Sequence, residues 1–266
     1  MKIYLATFLL LIGSNISFGQ DIDSPENSGD DFSLEGALAM FKKASSIEDF
    51  EKLLNEENNN VNNLDLNNDG DIDYVSVEDI MEGDNHVLVL SASLGENEKQ
   101  DIATINIEKK GKEDAELQIV GDEDLYAENS IVEPFDVEEK VMKGKGPSVL
   151  EINPTRVVVN VWLWPSVRFI YAPEYRVWVS PYRWANYPRW WKPWRPFRHS
   201  LFIGRCAPHR VYFHRTAVRR VSHGFYRSRR HSSTLIVKGR RGTTVIHKGR
   251  GGRVKAVHYG RRGGRR

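Results

Sequence analysis

The 266 residues carry a formal net charge of only +2 and a single cysteine, which excludes an internal disulfide framework. The near-neutral total conceals a polar chain: residues 21–140 hold 34 acidic against 8 basic side chains, a net −26, whereas residues 141–266 hold 29 basic against 2 acidic, a net +27. Such a split excludes one compositionally uniform domain and predicts two independent segments of opposite sign.

Met1-Lys2, an apolar run over 4–12 and small residues at Ser17 and Gly19 read as an export signal peptide covering residues 1–19. The apolar run is too short to span a bilayer, so no transmembrane span is expected. A secreted product would reside in the periplasm, at the outer surface or outside the cell, which removes cytosolic nucleic acid from its expected partners. Cys206 then has two readings, a free thiol or an intermolecular link.

Residues 20–32 are acidic and broken by Pro25 and Gly29, and read as a disordered linker. An acidic α+β domain is expected over 33–135. Ser33 caps a helix in which Leu34, Ala37, Leu38 and Phe41 share one face, and Ser46 caps a second striped by Ile47, Phe50 and Leu54. Strands are expected at 72–77, 87–92, 101–107 and 116–120. Their short polar connections imply a roughly four-stranded antiparallel sheet with both helices packed on it.

Between the second helix and the first strand stands Asp65-Leu66-Asn67-Asn68-Asp69-Gly70-Asp71-Ile72-Asp73. Oxygen-bearing side chains alternate, with glycine sixth. Calcium takes roughly six to eight hard oxygens, and this spacing wraps them around one ion. Asp65, Asn67, Asp69, Asp71 (through its carbonyl) and Asp73 are the expected ligands, and Ca2+ the expected structural cofactor. The nine residues resemble the calcium loops of EF-hands, dockerins and integrin propellers. Ser76 stands where the EF-hand has its bidentate Glu, so the loop is closer to the propeller type. Its affinity is expected in the range of extracellular modules, on the order of 10⁻⁴ to 10⁻³ M. Glu78 or Asp79 would have to supply the missing oxygen. The other reading is an Asx-rich turn without metal, although four carboxylates in nine residues repel one another unless a cation neutralises them.

Residues 136–150 read as a Gly/Lys/Pro hinge. Residues 151–204 hold every tryptophan, namely Trp162, Trp164, Trp178, Trp184, Trp190, Trp191 and Trp194. Arginines, among them Arg183, Arg189 and Arg195, alternate with them, and the interspersed prolines exclude a regular helix or central strand. An irregular β segment is expected. Trp beside Arg suits sugar rings, a membrane interface or an acidic protein face, which makes these ten side chains the expected polymer- or surface-binding set. In the other reading the tryptophans fold into a small irregular core.

Residues 205–266 form a basic, largely disordered tail with a loose repeat at 234–239, 244–249 and 254–260. Its expected targets are anionic polymers such as lipopolysaccharide, acidic polysaccharide or extracellular DNA, or the chain's own acidic domain. His199, His209, His214 and His223 lack compact ligand spacing, so they predict no metal centre. Neither G-x-S-x-G, H-E-x-x-H nor a P-loop occurs, and an enzyme is not expected.

The D-x-N-x-D-G-x-I-D-Y run at 65–74, V-G-D-E-D-L-Y at 120–126, W-P-S-V-R at 164–168 and W-V-S-P-Y-R-W at 178–184 precede the basic tail. Together they resemble a family of exported, uncharacterised Gram-negative bacterial proteins over most of the chain beyond the signal. The resemblance implies an envelope location and no activity.

Overall fold

The computed structural model describes residues 25–96, 98–138, 155–221 and 226, together with strands at 233–239, 242–248 and 254–260. The expected signal peptide, residues 20–24 of the linker and 139–150 of the hinge lie outside the described residues.

Helices α1 (Leu34–Lys43) and α2 (Ile47–Leu54) start where the capping residues predict. The Ser33 hydroxyl accepts the Gly36 N–H at 2.9 Å, and the Ser46 hydroxyl accepts the Asp49 N–H at 3.0 Å. Leu34, Ala37, Leu38, Phe41, Ile47, Phe50 and Leu54 are all buried. Phe41 and Phe50 meet edge to face with centroids 5.2 Å apart, which locks the two short helices to each other. Neither helix is long enough to persist alone in water, so this packing is what holds them.

Strands β1 (Val75–Glu82), β2 (Asn85–Gly95), β3 (Glu98–Gly111), β4 (Asp114–Gly121), β5 (Ile131–Glu138) and β6 (Thr155–Val158) follow one another through an antiparallel sheet. The fold is thus mixed α and β, with an antiparallel sheet and few helices. The sheet is larger than four strands. The expected four correspond to β1–β4, while β7 (Phe213–Thr216) also pairs with β5, at Ile131↔Thr216 through Pro134↔Phe213. Pro134 marks β5 as a boundary in the sequence, and four residues of β7 are too few to show alternation.

The two halves are not independent segments, because one core serves both. Val77, Leu88, Leu90, Ile105 and Ile119 of the sheet pack with the helices, and Val161, Trp164 and Phe213 join the same cluster. With them come Val167 and Ile170 of α3 (Pro165–Ile170).

Three expectations change. The prolines of 151–204 do not exclude a helix: α3 lies inside that segment and starts on Pro165, where the missing N–H has no intrahelical partner to lose. Residues 25–32 are not a disordered linker: Ser28–Asp31 is a short 3-10 helix, the Gly29 N–H donates to the Leu125 carbonyl at 2.8 Å, and Phe32 is buried. Phe32 supplies the apolar anchor that the acidic composition hides. The tail, expected to be largely disordered, carries α4 (His199–Cys206) across its start, then β7. Farther on, β8 (Ser233–Gly239), β9 (Gly242–Lys248) and β10 (Val254–Gly260) form a three-stranded antiparallel sheet. These strands coincide with the repeat, whose Thr, Val and Ile favour extended backbone despite the surrounding charge. Among the described residues no helix is long and apolar enough to cross a membrane.

Candidate functional site

The acidic loop leads into β1 and is drawn into a tight curl by its own side chains. The Asp65 carboxylate accepts the N–H groups of Asp69 and Gly70, each at 3.0 Å. Asn67 accepts the Asp69 N–H at 2.8 Å, and Asp69 accepts the Asp71 N–H at 2.9 Å. Gly70 has φ +94°, a conformation that side-chain-bearing residues rarely adopt, and this lets the loop reverse. The loop base is pinned: buried Ile72 donates its N–H to the Trp194 carbonyl, the Asp73 N–H donates to the Leu64 carbonyl, and the Asn62 amide donates to the Asp73 carbonyl, all at 2.8 Å.

Burial, reinforced by Asp65 and Asp69 nearby, pushes the Asp73 carboxyl up to about 7, against an accepted N–H from Leu66 at 2.6 Å. Burial also raises Asp65. The donors are all hard oxygens, the kind calcium takes. Among the described residues, however, no group of three His, Cys, Asp or Glu side chains stands together in a metal-holding arrangement. An ion would require the loop side chains to turn from their N–H partners toward one point.

Of the positions around the missing glutamate, Ser76 and one oxygen of Asp79 are engaged within the fold, while Asp79 Oδ1 is buried without a hydrogen-bond partner. The Ser76 hydroxyl donates to the Ser91 carbonyl at 3.2 Å within the sheet. Asp79 is buried, its Oδ2 within 2.9 Å of His86 Nδ1 and accepting the Tyr175 hydroxyl at 2.7 Å. Glu78 forms a backbone bridge with Val179.

Against the loop stands an aromatic wall from the second half. Trp191 packs edge to face on Tyr74 at 5.1 Å and on Tyr187 at 4.7 Å, and Tyr187 lies 5.5 Å from Tyr74. Between wall and loop is a cleft of about 450 Å³, bounded by Asn67, Asp69, Asp71 and Asp73 on one side and by Trp184, Tyr187 and Trp191 on the other. None of the described residues lining it is basic. Trp191 is only 8 % exposed, and its indole N–H is buried without a hydrogen-bond partner.

The wall is fastened through a buried carboxylate that sequence reading passed over. Glu51 on α2 is 2 % exposed. Its Oε1 accepts the hydroxyls of Tyr74 at 2.8 Å and Ser180 at 2.7 Å, and its Oε2 accepts the Val77 N–H at 2.9 Å and the Trp178 indole N–H at 3.1 Å. Burial raises its proton affinity although all four bonds favour the charged form. A signal for it was present: Ile47, Phe50, Glu51 and Leu54 occupy i, i+3, i+4 and i+7, so Glu51 sits on the apolar stripe.

The expected surface set therefore divides. Trp164 is buried between Phe41 and Phe213, each 6.4 Å away. Trp162 stacks on Tyr171, with Lys109 Nζ at 5.4 Å from its ring. Trp178 bonds Glu51 and Trp194 holds Ile72, while Trp184 and Trp191 line the cleft. Trp190 is 43 % exposed beneath Lys52. Arg183, Arg189 and Arg195 point to solvent. The structure thus brings the acidic loop together with three of the seven tryptophans, Trp184, Trp191 and Trp194, and distributes the others through core and contacts. No protein-family model, no curated protein and no solved structure matches the chain.

Proposed function

We propose that this chain is an exported, non-enzymatic envelope protein in which calcium stabilises the acidic half and the aromatic, basic half makes contacts with other molecules. The observation that carries the reading is the pinned loop, in which Gly70 reverses the backbone and Asp65, Asn67, Asp69 and Asp73 supply hard oxygens at alternate positions, held at present by backbone N–H groups. The export signal and the resemblance to exported proteins support the location.

Calcium bound only to the folded chain must raise its stability. At 10 mM Ca2+ and an affinity on the order of 10⁻⁴ to 10⁻³ M, the gain is about 1.4–2.7 kcal/mol. Thermal melts in calcium and in chelator are expected to show a higher Tm in calcium, and Asp69→Ala should abolish the difference. Equal midpoints for the unaltered chain would remove calcium from the account.

A second reading is favoured by the outward placement of Arg183, Arg189 and Arg195, namely that this basic face binds an anionic polymer such as lipopolysaccharide, acidic polysaccharide or extracellular DNA. Affinity for a polyanion should then fall steeply between 50 and about 200 mM salt, because contacts to phosphates or carboxylates release counterions. A flat salt profile would reject it.

A further inference from the structure

A separate cleft of about 280 Å³ opens between α2 and the tryptophan-rich segment. Trp178, Tyr182 and Trp190 border it from the second half, and Glu48, Asp49 and Lys52 from the helix. We infer that this cleft binds a quaternary ammonium group, such as the trimethylammonium head of choline, by cation–π contact in the field of the two carboxylates. Neither calcium nor the polyanion-binding face takes part.

A cation already stands at one of the rings. Lys52 Nζ lies over Trp190, 6.0 Å from the ring centroid, at the outer limit of cation–π attraction. Trp190 is 43 % exposed, so its ring is open to a positive group from solvent as well. Lys52 holds its place loosely: it is exposed, and its ammonium also lies 3.8 Å from Glu56 Oε1. Surface pairs of this kind contribute little. An incoming cation therefore displaces Lys52 toward Glu56 at small cost and takes the ring.

The other two rings are set in place before any ligand arrives. Trp178 is tethered by its indole N–H to Glu51 Oε2 at 3.1 Å, and Tyr182 packs edge to face on Tyr74 with centroids 5.8 Å apart. Both side chains are only half-buried, so part of each remains accessible at the cleft while its position is fixed. Preset walls spare the ligand the cost of ordering them. Several aromatic side chains around one small cavity is the arrangement that recognises quaternary ammonium ions.

Charge and size narrow the ligand further. Glu48 and Asp49 outnumber Lys52 at the walls, so the cleft repels an anion and attracts a cation. A primary ammonium is strongly hydrated and must find acceptors to replace its water. Asp49 Oδ2 already accepts the N–H and the hydroxyl of Ser45, at 2.9 and 3.1 Å, and the oxygens of Glu51 already accept four donors. A quaternary ammonium carries no N–H and needs no such acceptor. The volume falls just below the range usual for drug-sized ligands and suits a head group.

The test is calorimetric titration of the full chain with three probes: choline, its neutral isostere 3,3-dimethylbutan-1-ol, and Nα-acetyl-lysine amide as a primary ammonium. Choline is expected to bind, with the isostere and the lysine probe each roughly tenfold weaker or more. Trp190→Ala should weaken choline about fivefold or more while Tm stays within error of the unaltered chain. Lys52→Met, at an exposed position of α2, should tighten choline about threefold or more, because the competing cation is gone. A merely structural role for Trp190 and Lys52 would not produce that gain. No choline binding, or equal binding of choline and its isostere, overturns the inference. Tighter binding of the lysine probe than of choline assigns the cleft to a peptide side chain and overturns it too, as does a Lys52→Met variant that binds choline no better than the unaltered chain.

Discussion

Glu51 occupies the place on α2 where the stripe of Ile47, Phe50 and Leu54 continues, and a buried carboxylate there survives only because four donors surround it. Replacing it with alanine strands the Val77 N–H and the Trp178 indole N–H in a closed interior, at an expected cost of about 2–4 kcal/mol. Glutamine is the milder change, because the Tyr74 and Ser180 hydroxyls can rotate to accept from its amide while its oxygen keeps the other two donors. The comparison also reads out the titration. Burial raises the Glu51 pKa above its usual 4.5, so above that pH the folded chain holds the proton more tightly than the unfolded chain does. The Glu51 contribution is therefore fully present below 4.5 and declines as pH rises through the folded-state value. In urea unfolding from pH 4 upward, the stability of the unaltered chain relative to Glu51→Gln should fall with pH and then level off. A difference that grows with pH would show that the hydrogen bonds outweigh burial.

Elements built from local signals were legible in the sequence. The two helices follow from Ser33 and Ser46 plus an apolar stripe, and β1–β4 from β-rich runs between polar turns, because these cues lie within a dozen residues of what they specify. The loop was legible for the same reason. What escaped was how the Trp-rich segment is held. Its prolines erase any period, and its anchors lie at separations such as 45 and 134 residues. Residues 178–180 run along the outer edge of β1, where the Asp79 N–H donates to the Trp178 carbonyl at 2.8 Å and the Ser180 N–H to the Val77 carbonyl at 3.0 Å. That pairing covers an edge strand that would otherwise present free backbone groups. Neither Val77 nor Val179 announces it, since a backbone bond carries no side-chain signature. The same distance hides Asn63, whose side chain accepts the Phe197 N–H at 2.7 Å and donates to the Phe197 carbonyl at 3.0 Å.

Across the whole molecule, opposite charge suggests that the two halves attract, but the contacts between them are not chiefly ionic. Arg215 pairs with buried Glu35 at 3.0 Å, His199 lies 2.9 Å from Asp31, and Arg220 reaches Glu133. Alongside these, Val161, Trp164, Val167, Ile170 and Phe213 are buried in the core of the acidic half. Side chains of this size stabilise by about 1.5–3 kcal/mol each when removed from water, and that gain does not depend on salt in the way charge pairs do. Residues 20–140 and 141–266, produced separately, are therefore expected to associate on mixing. The first fragment alone should expose apolar surface, seen as dye binding that disappears when the second is added. Purely electrostatic docking would be lost in 1 M salt, where screening acts over about 3 Å. An interlocked core should weaken in rate but persist in complex. Fragments that part in 1 M NaCl would mean that charge alone joins the halves, and that Trp164 and Phe213 are occupants of the core without holding it.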